Sequence, residues 1–545
     1  MTYHRYVLRY VSDVLGKLVD LPPRVDVLRR AGLFDPMRLD EGLKSILAVR
    51  KFGPVAGAAW IAARREPGSP AVVDELGTLT YGELDAHTNA LARAWQRRGL
   101  GPDSVIAVLC RDHRWLVACM IAAAKLGARL LLMNTGFSGP QLADVTNREG
   151  ASALVHDEEF ADLLDGVRAD IPRYVGWHDG ATEATTLAGV VESTHPGPIP
   201  GPSSPGVLVL LTSGTTGTPK GAARHIRSPL SATHLLERIP LRRGGAMFIA
   251  SPMFHATGLS QLIVALALGQ TVVVRRRFDP EATLRAVAEQ RCTAMVLVPT
   301  MLRRILDLGS ETVSRYDTSS LRVILTAGSA LSPDVSDRAL DVFGDVLYNL
   351  YGSTEVAVAT VATPAELRAA PGTVGRPPRG CVVRLYDDEG RRVTGVNAVG
   401  RLFVGSELAF GGYTGGGHKE VIDGLLSSGD VGHFDATGLL FIDGRDDDMI
   451  VSGGENVYPG EIENLLTSRE DVAEAAVIGV PDPDFGQRLK AFVVPAGGAE
   501  LDADELRAFV RSNLARYKVP RDVVILGELP RNSTGKVVRA KLLET

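Results

Sequence analysis

What this chain has little of narrows its identity first. Four cysteines stand among 545 residues, and Cys110, Cys119, Cys292 and Cys381 show no CxxC spacing. That argues against a disulfide framework or a cysteine-ligated zinc site and suits a reducing compartment. Aromatic residues make up only 6% and the net charge is −5, so the basic footprint of a nucleic-acid binder is missing. No stretch reaches the ~20 uninterrupted apolar residues of a membrane span. The nearest, 117–133 and 258–274, are broken by Lys125 and Arg129 and by Gln261 and Gln270, and read as buried helix and strand. The first twenty residues lack the apolar run of a secretory signal. These absences lead to the expectation of a cytoplasmic protein.

At this length the chain should hold more than one domain. Its centre of interest is Leu211 to Ala222, reading LTSGTTGTPKGA, directly after an apolar run from Val207 that reads as a buried strand. Thr212, Ser213, Gly214, Thr215, Thr216 and Gly217 are small, hydroxylated or free to adopt positive φ, so their N–H groups can converge on an anion. Lys220 adds a cation. The stretch reads as a polyphosphate cradle. It is not a Walker loop, because Pro219 stands where the second glycine of that motif belongs.

Residues 1–55 read as an extension with ten Lys/Arg against six Asp/Glu, net +4, while the remainder carries −9. Val7, Val11, Val14, Leu15 and Leu18 recur at helical spacing, with Arg5, Arg9 and Lys17 between them. Packing on the chain's own domain is the stronger expectation; weak peripheral contact with an anionic inner membrane is the other. From Pro70 to about residue 400, short apolar strands alternate with helices, which argues for parallel sheets covered by helices. Thr80 and Glu83 form a capping-box signature. Around Gly400 the strands shorten between glycines, as in a small antiparallel barrel or sheet. The expected division is thus 1–55, a large α/β domain over 56–445 with a β-barrel-like subdomain, and a small mobile α+β domain over 446–545.

Four more motifs follow the cradle in order: Tyr351-Gly-Ser-Thr-Glu355, Ser428-Gly-Asp430, the run from Gly444-Arg445 through Gly453-Gly454 to Glu463, and Asn532-Ser-Thr-Gly-Lys536. With all five in this order, the chain resembles the adenylate-forming superfamily of acyl- and aryl-CoA synthetases, luciferases and peptide-synthetase adenylation domains. Within it, the extension is most similar in texture to bacterial medium- and long-chain fatty acyl-CoA ligases. The resemblance implies ATP, Mg²⁺ and CoA, and an acid activated as its acyl-adenylate. It implies that the cradle and Lys220 hold the triphosphate, Glu355 ligates Mg²⁺ and Thr354 donates to the α-phosphate. Gly328, Ser329, Ala330, Tyr351 and Gly352 would line the adenine pocket, with Tyr351 stacked on the base. Asp430 would accept the ribose hydroxyls, partnered by Arg445. Lys536 would complete the adenylation site from a domain that swings about Asp447, and the alternate pose would bring Gly453 and Gly454 to line a pantetheine tunnel.

His255, in Pro252-Met-Phe-His-Ala-Thr-Gly258, stands where amino-acid-activating relatives carry an Asp, so the resemblance implies an uncharged acid whose approach His255 gates. Thr257, Gly258, Val298, Thr300, Gly328 and Ser329 are small or apolar pocket candidates, favouring a fatty or other apolar acid. A carrier protein in place of CoA, or a non-catalytic ATP- or acyl-AMP-binding protein, are the alternatives. A homodimer is a further expectation. The sequence departs from the family pattern at Gly424-Leu-Leu-Ser-Ser-Gly429, where a Trp and a Thr-Gly-Asp are common, and in the glycine-rich loop 411–419.

Overall fold

A computed structural model describes residues 22–212, 220–224, 232–407, 419–446, 450–452, 455–482, 486–514, 518–532 and 536–544. The expected alternation builds two parallel-based sheets. In the first, Pro70–Asp74, Thr271–Val273, Ala246–Ile249, Ala294–Leu297, Val323–Ala327 and Leu347–Ser353 lie side by side and parallel. Antiparallel strands Gly77–Thr80 and Ala357–Ala362 close its two edges. In the second, Arg173–Val175, Ala153–His156, Val105–Leu109, Arg129–Leu132 and Leu208–Thr212 run parallel, with Lys220–Arg224 antiparallel at the edge. The inner strands are buried at almost every residue, which is why they read as continuous apolar runs rather than alternations.

The helix Arg114–Leu126 is buried nearly all round, as an element sandwiched between layers must be. It stops at Gly127, whose φ of +73° favours glycine. A Cβ there would also come within 2.8 Å of the Ser204 carbonyl oxygen. The helix Tyr81–Arg97 starts with the reciprocal cap expected from Thr80 and Glu83. The Glu83 amide donates to Thr80 Oγ1 at 3.2 Å and the Thr80 amide donates to Glu83 Oε2 at 2.7 Å.

The segment after Tyr351 forms a third sheet of antiparallel strands, built on Cys381–Tyr386, Gly400–Ser406, Leu425–Phe434 and Leu440–Arg445. Among the described residues its strand order runs along an open path, not around a closed barrel. Beyond residue 446 pairing moves to a fourth sheet. There Val472–Asp482 and Gly486–Pro495 form a long antiparallel pair, flanked by the helices Pro459–Thr467 and Ala503–Asn513.

The N-terminal segment differs most from expectation. Residue 55 lies just inside the second of two helical pieces spanning Leu39–Arg65. By length and composition alone that helix could cross a membrane, which the search for unbroken apolar runs passes over. Gly53, at φ 77° and followed by Pro54, breaks it into two shorter helices. The second half buries Val55, Ala56, Ala58, Ala59, Ala62 and Ala63 in the main core. It is a core helix. Upstream, Val27 and Leu28 join the same core. The Arg24 guanidinium donates to both carboxylate oxygens of Glu407, at 2.9 and 3.2 Å, and holds that carboxyl below its usual range. Packing on its own domain is therefore what residues 22–65 do. Residues 1–21, with the basic helical pattern from Val7 to Leu18, lie outside the described residues.

Candidate active site

The parallel strands of the first sheet deliver their following loops to one crevice, the place where open α/β sheets bind ligands. Strand Val323–Ala327 ends on Gly328 at φ +95°. Strand Ala246–Ile249 leads to His255, and Ala294–Leu297 to Val298 and Thr300. Strand Leu347–Ser353 turns back through Thr354 and Glu355 into Ala357–Ala362.

That turn is tightly specified. A Cβ at Gly352 would lie 1.8 Å from the Ala357 carbonyl oxygen, so only glycine fits without opening the hairpin. Ala357 itself sits at φ +64°, a left-handed conformation that disfavours a side chain. Ser353 organises the apex. Its Oγ donates to Glu355 Oε2 at 2.9 Å and accepts from the Glu355 and Val356 amides at 3.2 and 3.3 Å. The Glu355 carboxylate is thereby oriented before any ligand arrives. Thr354 and Glu355 stand on a strand-to-strand turn, not at a helix cap.

Asp430 reaches the same place from the third sheet. The Tyr351 hydroxyl donates to its Oδ2 at 2.5 Å, and its amide donates to Ser428 Oγ at 3.1 Å. Arg445 is its cross-strand partner in the backbone register. The serines that depart from the family pattern thus serve the strand itself, since the Ser428 hydroxyl also donates to the Leu402 carbonyl at 3.2 Å.

Gly328, Ser329, Ala330, Tyr351, Gly352, Thr354, Glu355, Asp430, His255 and Lys536 line one cleft of about 2620 Å³. Lys536 comes from the small domain, exposed, its backbone amide donating to Asn532 Oδ1 at 2.9 Å. The two domains touch where Arg303 donates to the Ala473 carbonyl at 2.7 Å and lies 3.5 Å from Glu474. Thr212 and Lys220 face each other as the terminal backbone pair of the hairpin that ends the second sheet, which puts both ends of the cradle together. Ser213, Gly214, Thr215, Thr216 and Gly217, like Asp447, Gly453 and Gly454, lie outside the described residues.

His255 stands at the N-cap position of helix Ala256–Ala267 without a side-chain capping bond, its ring against that of Phe254, 4.4 Å between centroids. Burial pushes its imidazole down to about 4, so it is neutral near pH 7, and its Nε2 has no hydrogen-bond partner. Thr257, Val298, Thr300 and Ser329 line the cleft beside it. Gly258 does not: it packs on the preceding loop, where a Cβ would meet the Ser251 carbonyl oxygen at 2.3 Å. Two contributors went unrecognised in the sequence. One is the N-terminal segment, whose Phe34, Ile46, Val49 and Phe52 form part of the wall. The other is Gln261, a polar residue breaking an apolar helix.

Among the described residues the cluster of metal-ligand types is Cys110, His113 and Asp157, all buried. It is already satisfied internally: the His113 Nε2 lies 2.8 Å from Asp157 Oδ1. The Trp115 amide donates to His113 Nδ1 at 3.2 Å and the Arg111 amide to Asp157 Oδ2 at 2.8 Å. It ties a strand to the next helix.

A sheet-end crevice with an oriented carboxylate, and a small domain presenting a lysine across it, define a two-domain nucleotide-dependent enzyme. The chain belongs to the AMP-binding enzyme family. That family's profile matches residues 59–414, and the profile of the AMP-binding enzyme C-terminal domain matches 461–536. It is 34% identical to the indoleacetate–CoA ligase of Aromatoleum aromaticum, over 87% of this chain and 94% of that protein. It is also 34% identical to a feruloyl-CoA synthase of Amycolatopsis sp, over 88% and 96% respectively. With the fatty acid–[acyl-carrier-protein] ligase ScoC of Streptomyces coeruleorubidus it shares 32% over 88% and 94%. Among solved structures, the amide bond synthetase McbA of Marinactinospora thermotolerans superposes with a TM-score of 0.79 at 29% identity, covering 90% of this chain and 99% of that one.

Proposed function

We propose that the protein is an AMP-forming CoA ligase that activates an apolar carboxylic acid as its acyl-adenylate and then transfers the acyl group to the CoA thiol. The observation that carries this reading is the gathering of the Ser353-oriented Glu355, the Tyr351–Asp430 pair and Lys536 of the small domain around one cleft. A carboxylate is a poor electrophile, and its attack on the α-phosphorus of ATP expels pyrophosphate and leaves a mixed anhydride. The chain's part is to hold the nucleotide, neutralise developing charge and aim the acid. Asp430 is placed to accept from ribose hydroxyls and Tyr351 to face the base. Thr354 donates to the α-phosphate, and Lys536 and Lys220 supply positive charge to the phosphates. Glu355, a hard oxygen donor fixed on a turn, suits Mg²⁺, which when bound offsets phosphate charge. Neutral His255 leaves the acid's carboxylate unpaired for attack. ATP and CoA as co-substrates fit a cytoplasmic site of action.

The acid is apolar in body, fatty or aromatic; the CoA ligases among the relatives are named for indoleacetate and ferulate. The likeness to ScoC supports a second reading, in which a carrier protein replaces CoA as acceptor. Mass spectrometry of products from ATP, Mg²⁺, CoA and a panel of aliphatic and aromatic acids separates the two. Acyl-CoA with stoichiometric AMP is expected. Acyl-AMP without thioester would transfer the proposal to the carrier-protein reading, and no AMP from any acid would end both.

A further inference from the structure

Gln261 is 1% exposed, lines the cleft, and its Oε1 has no hydrogen-bond partner. Buried polar atoms are nearly always paired, so an orphan beside a cavity calls for an explanation. The amide's orientation follows from its neighbours. The Ser260 hydroxyl donates its one proton to the Thr257 carbonyl at 2.9 Å. Toward Gln261 it can therefore only accept, and Gln261 Nε2 stands 3.4 Å away. The nitrogen end of the amide is engaged, and the oxygen end is left as an acceptor with nothing to accept.

The position gives that acceptor a distance. Thr257 and Gln261, four residues apart, share a helix face, and both line the cleft. His255 stands at the N-cap position of this helix. Six residues on, at a rise of 1.5 Å each, Gln261 stands about 9 Å further along the axis. The wall beyond is apolar, with Val264 on the same helix and Ile46, Val49 and Phe52 from the N-terminal helix, which packs against it. An acid whose carboxylate enters at His255 and whose body follows this helix would bring its far end beside Gln261.

We propose that Gln261 accepts a hydrogen bond from a hydroxyl or N–H on the acid, so that the cleft selects acids carrying such a donor about 9 Å from the carboxylate. This rests on the ligase reading above and narrows its substrate class, away from unfunctionalised fatty chains. A site with a buried, unpaired acceptor discriminates against the analogue lacking the donor, because that analogue leaves the acceptor desolvated and unbonded.

The experiment compares 4-hydroxycinnamic acid with 4-methylcinnamic acid, near-isosteric acids differing in the donor, by AMP and acyl-CoA formation. The wild-type protein is expected to favour the hydroxy acid by at least about 10-fold in kcat/KM. Gln261→Met should collapse that ratio toward one, mainly by losing rate on the hydroxy acid and gaining on the methyl acid. Gln261→Glu, which keeps an acceptor, should retain a preference for the donor. Equal use of the two acids by wild type overturns the inference without any variant, as does a ratio that Gln261→Met leaves unchanged. If acids are activated but without donor preference, the ligase reading stands and this inference alone falls. If no acid yields AMP, both fall together.

Discussion

Asp112 is a carboxyl with almost no access to water, and burial pushes it up to about 7. Its Oδ1 accepts the Met253 amide at 3.0 Å, which braces the loop carrying His255. A carboxyl whose folded value is raised contributes stability below its unfolded value, and that contribution is lost as pH climbs through the folded value. The window here runs from about pH 4 to about pH 7. Asp112→Asn keeps an acceptor for Met253 without the charge. Its stability gain should grow across that window and level off above pH 7, with an upper bound on the order of 4 kcal/mol. Thermal melts from pH 4 to 8 check this; a gain independent of pH would show that ionisation of Asp112 is not responsible. Residues in motifs, such as Glu355 and Asp430, were legible because residue type and order together are rare. Asp112 was not, since it belongs to no motif and its burial depends on the distant loop it braces. Gln261 was visible only as a fault in an apolar run, because pairing depends on neighbours that a sequence does not show.

In hairpin 347–362 the fold uses Gly352 for want of space. Gly352→Ala should prise the strands apart at the Ala357 carbonyl and displace Ser353 and Glu355. AMP formation is expected to fall at least about 100-fold, because misplacing groups by about 1 Å has costs of that order. The variant should stay folded elsewhere by circular dichroism; retained activity would mean the turn tolerates the extra carbon. The alternation of strands and helices from Pro70 onward is present as expected. The Thr80 cap matches residue for residue. The third sheet is antiparallel as expected; less legible were the antiparallel edges of both large sheets, because pairing direction is set by neighbours distant in sequence. Helix Leu39–Arg65 carries no motif, and its packing on Tyr81–Arg97, Arg114–Leu126 and the distant Ala256–Ala267 depends on partners a local pattern does not show.

Among the described residues, Glu474 at the contact between the two domains is shared between Arg303, at 3.5 Å, and Arg531, at 2.7 Å. This arrangement places Lys536 on the cleft. Lys536→Ala should depress acyl-AMP formation at least about 100-fold, the scale for one transition-state cation. Thioester formation from supplied acyl-AMP should change by less than about 3-fold, because a group used in one half-reaction leaves the other intact. Equal losses in both half-reactions would argue that the lysine serves stability or substrate entry. The order of motifs is what suggests this division of labour, while Arg303 and Glu474 at the domain contact carry no motif at all.

The sealing of the four cysteines has a practical corollary. All are buried, and burial raises each thiol, Cys381 to about 11 and Cys292 to about 12, with Cys110 and Cys119 also raised. A protein that handles a thiol co-substrate thus presents no thiolate of its own to form mixed disulfides with it. Buried and protonated, these thiols should react slowly with maleimides. One introduced surface cysteine on each side of residue 446 would then report by fluorescence whether the small domain moves against the large one during turnover.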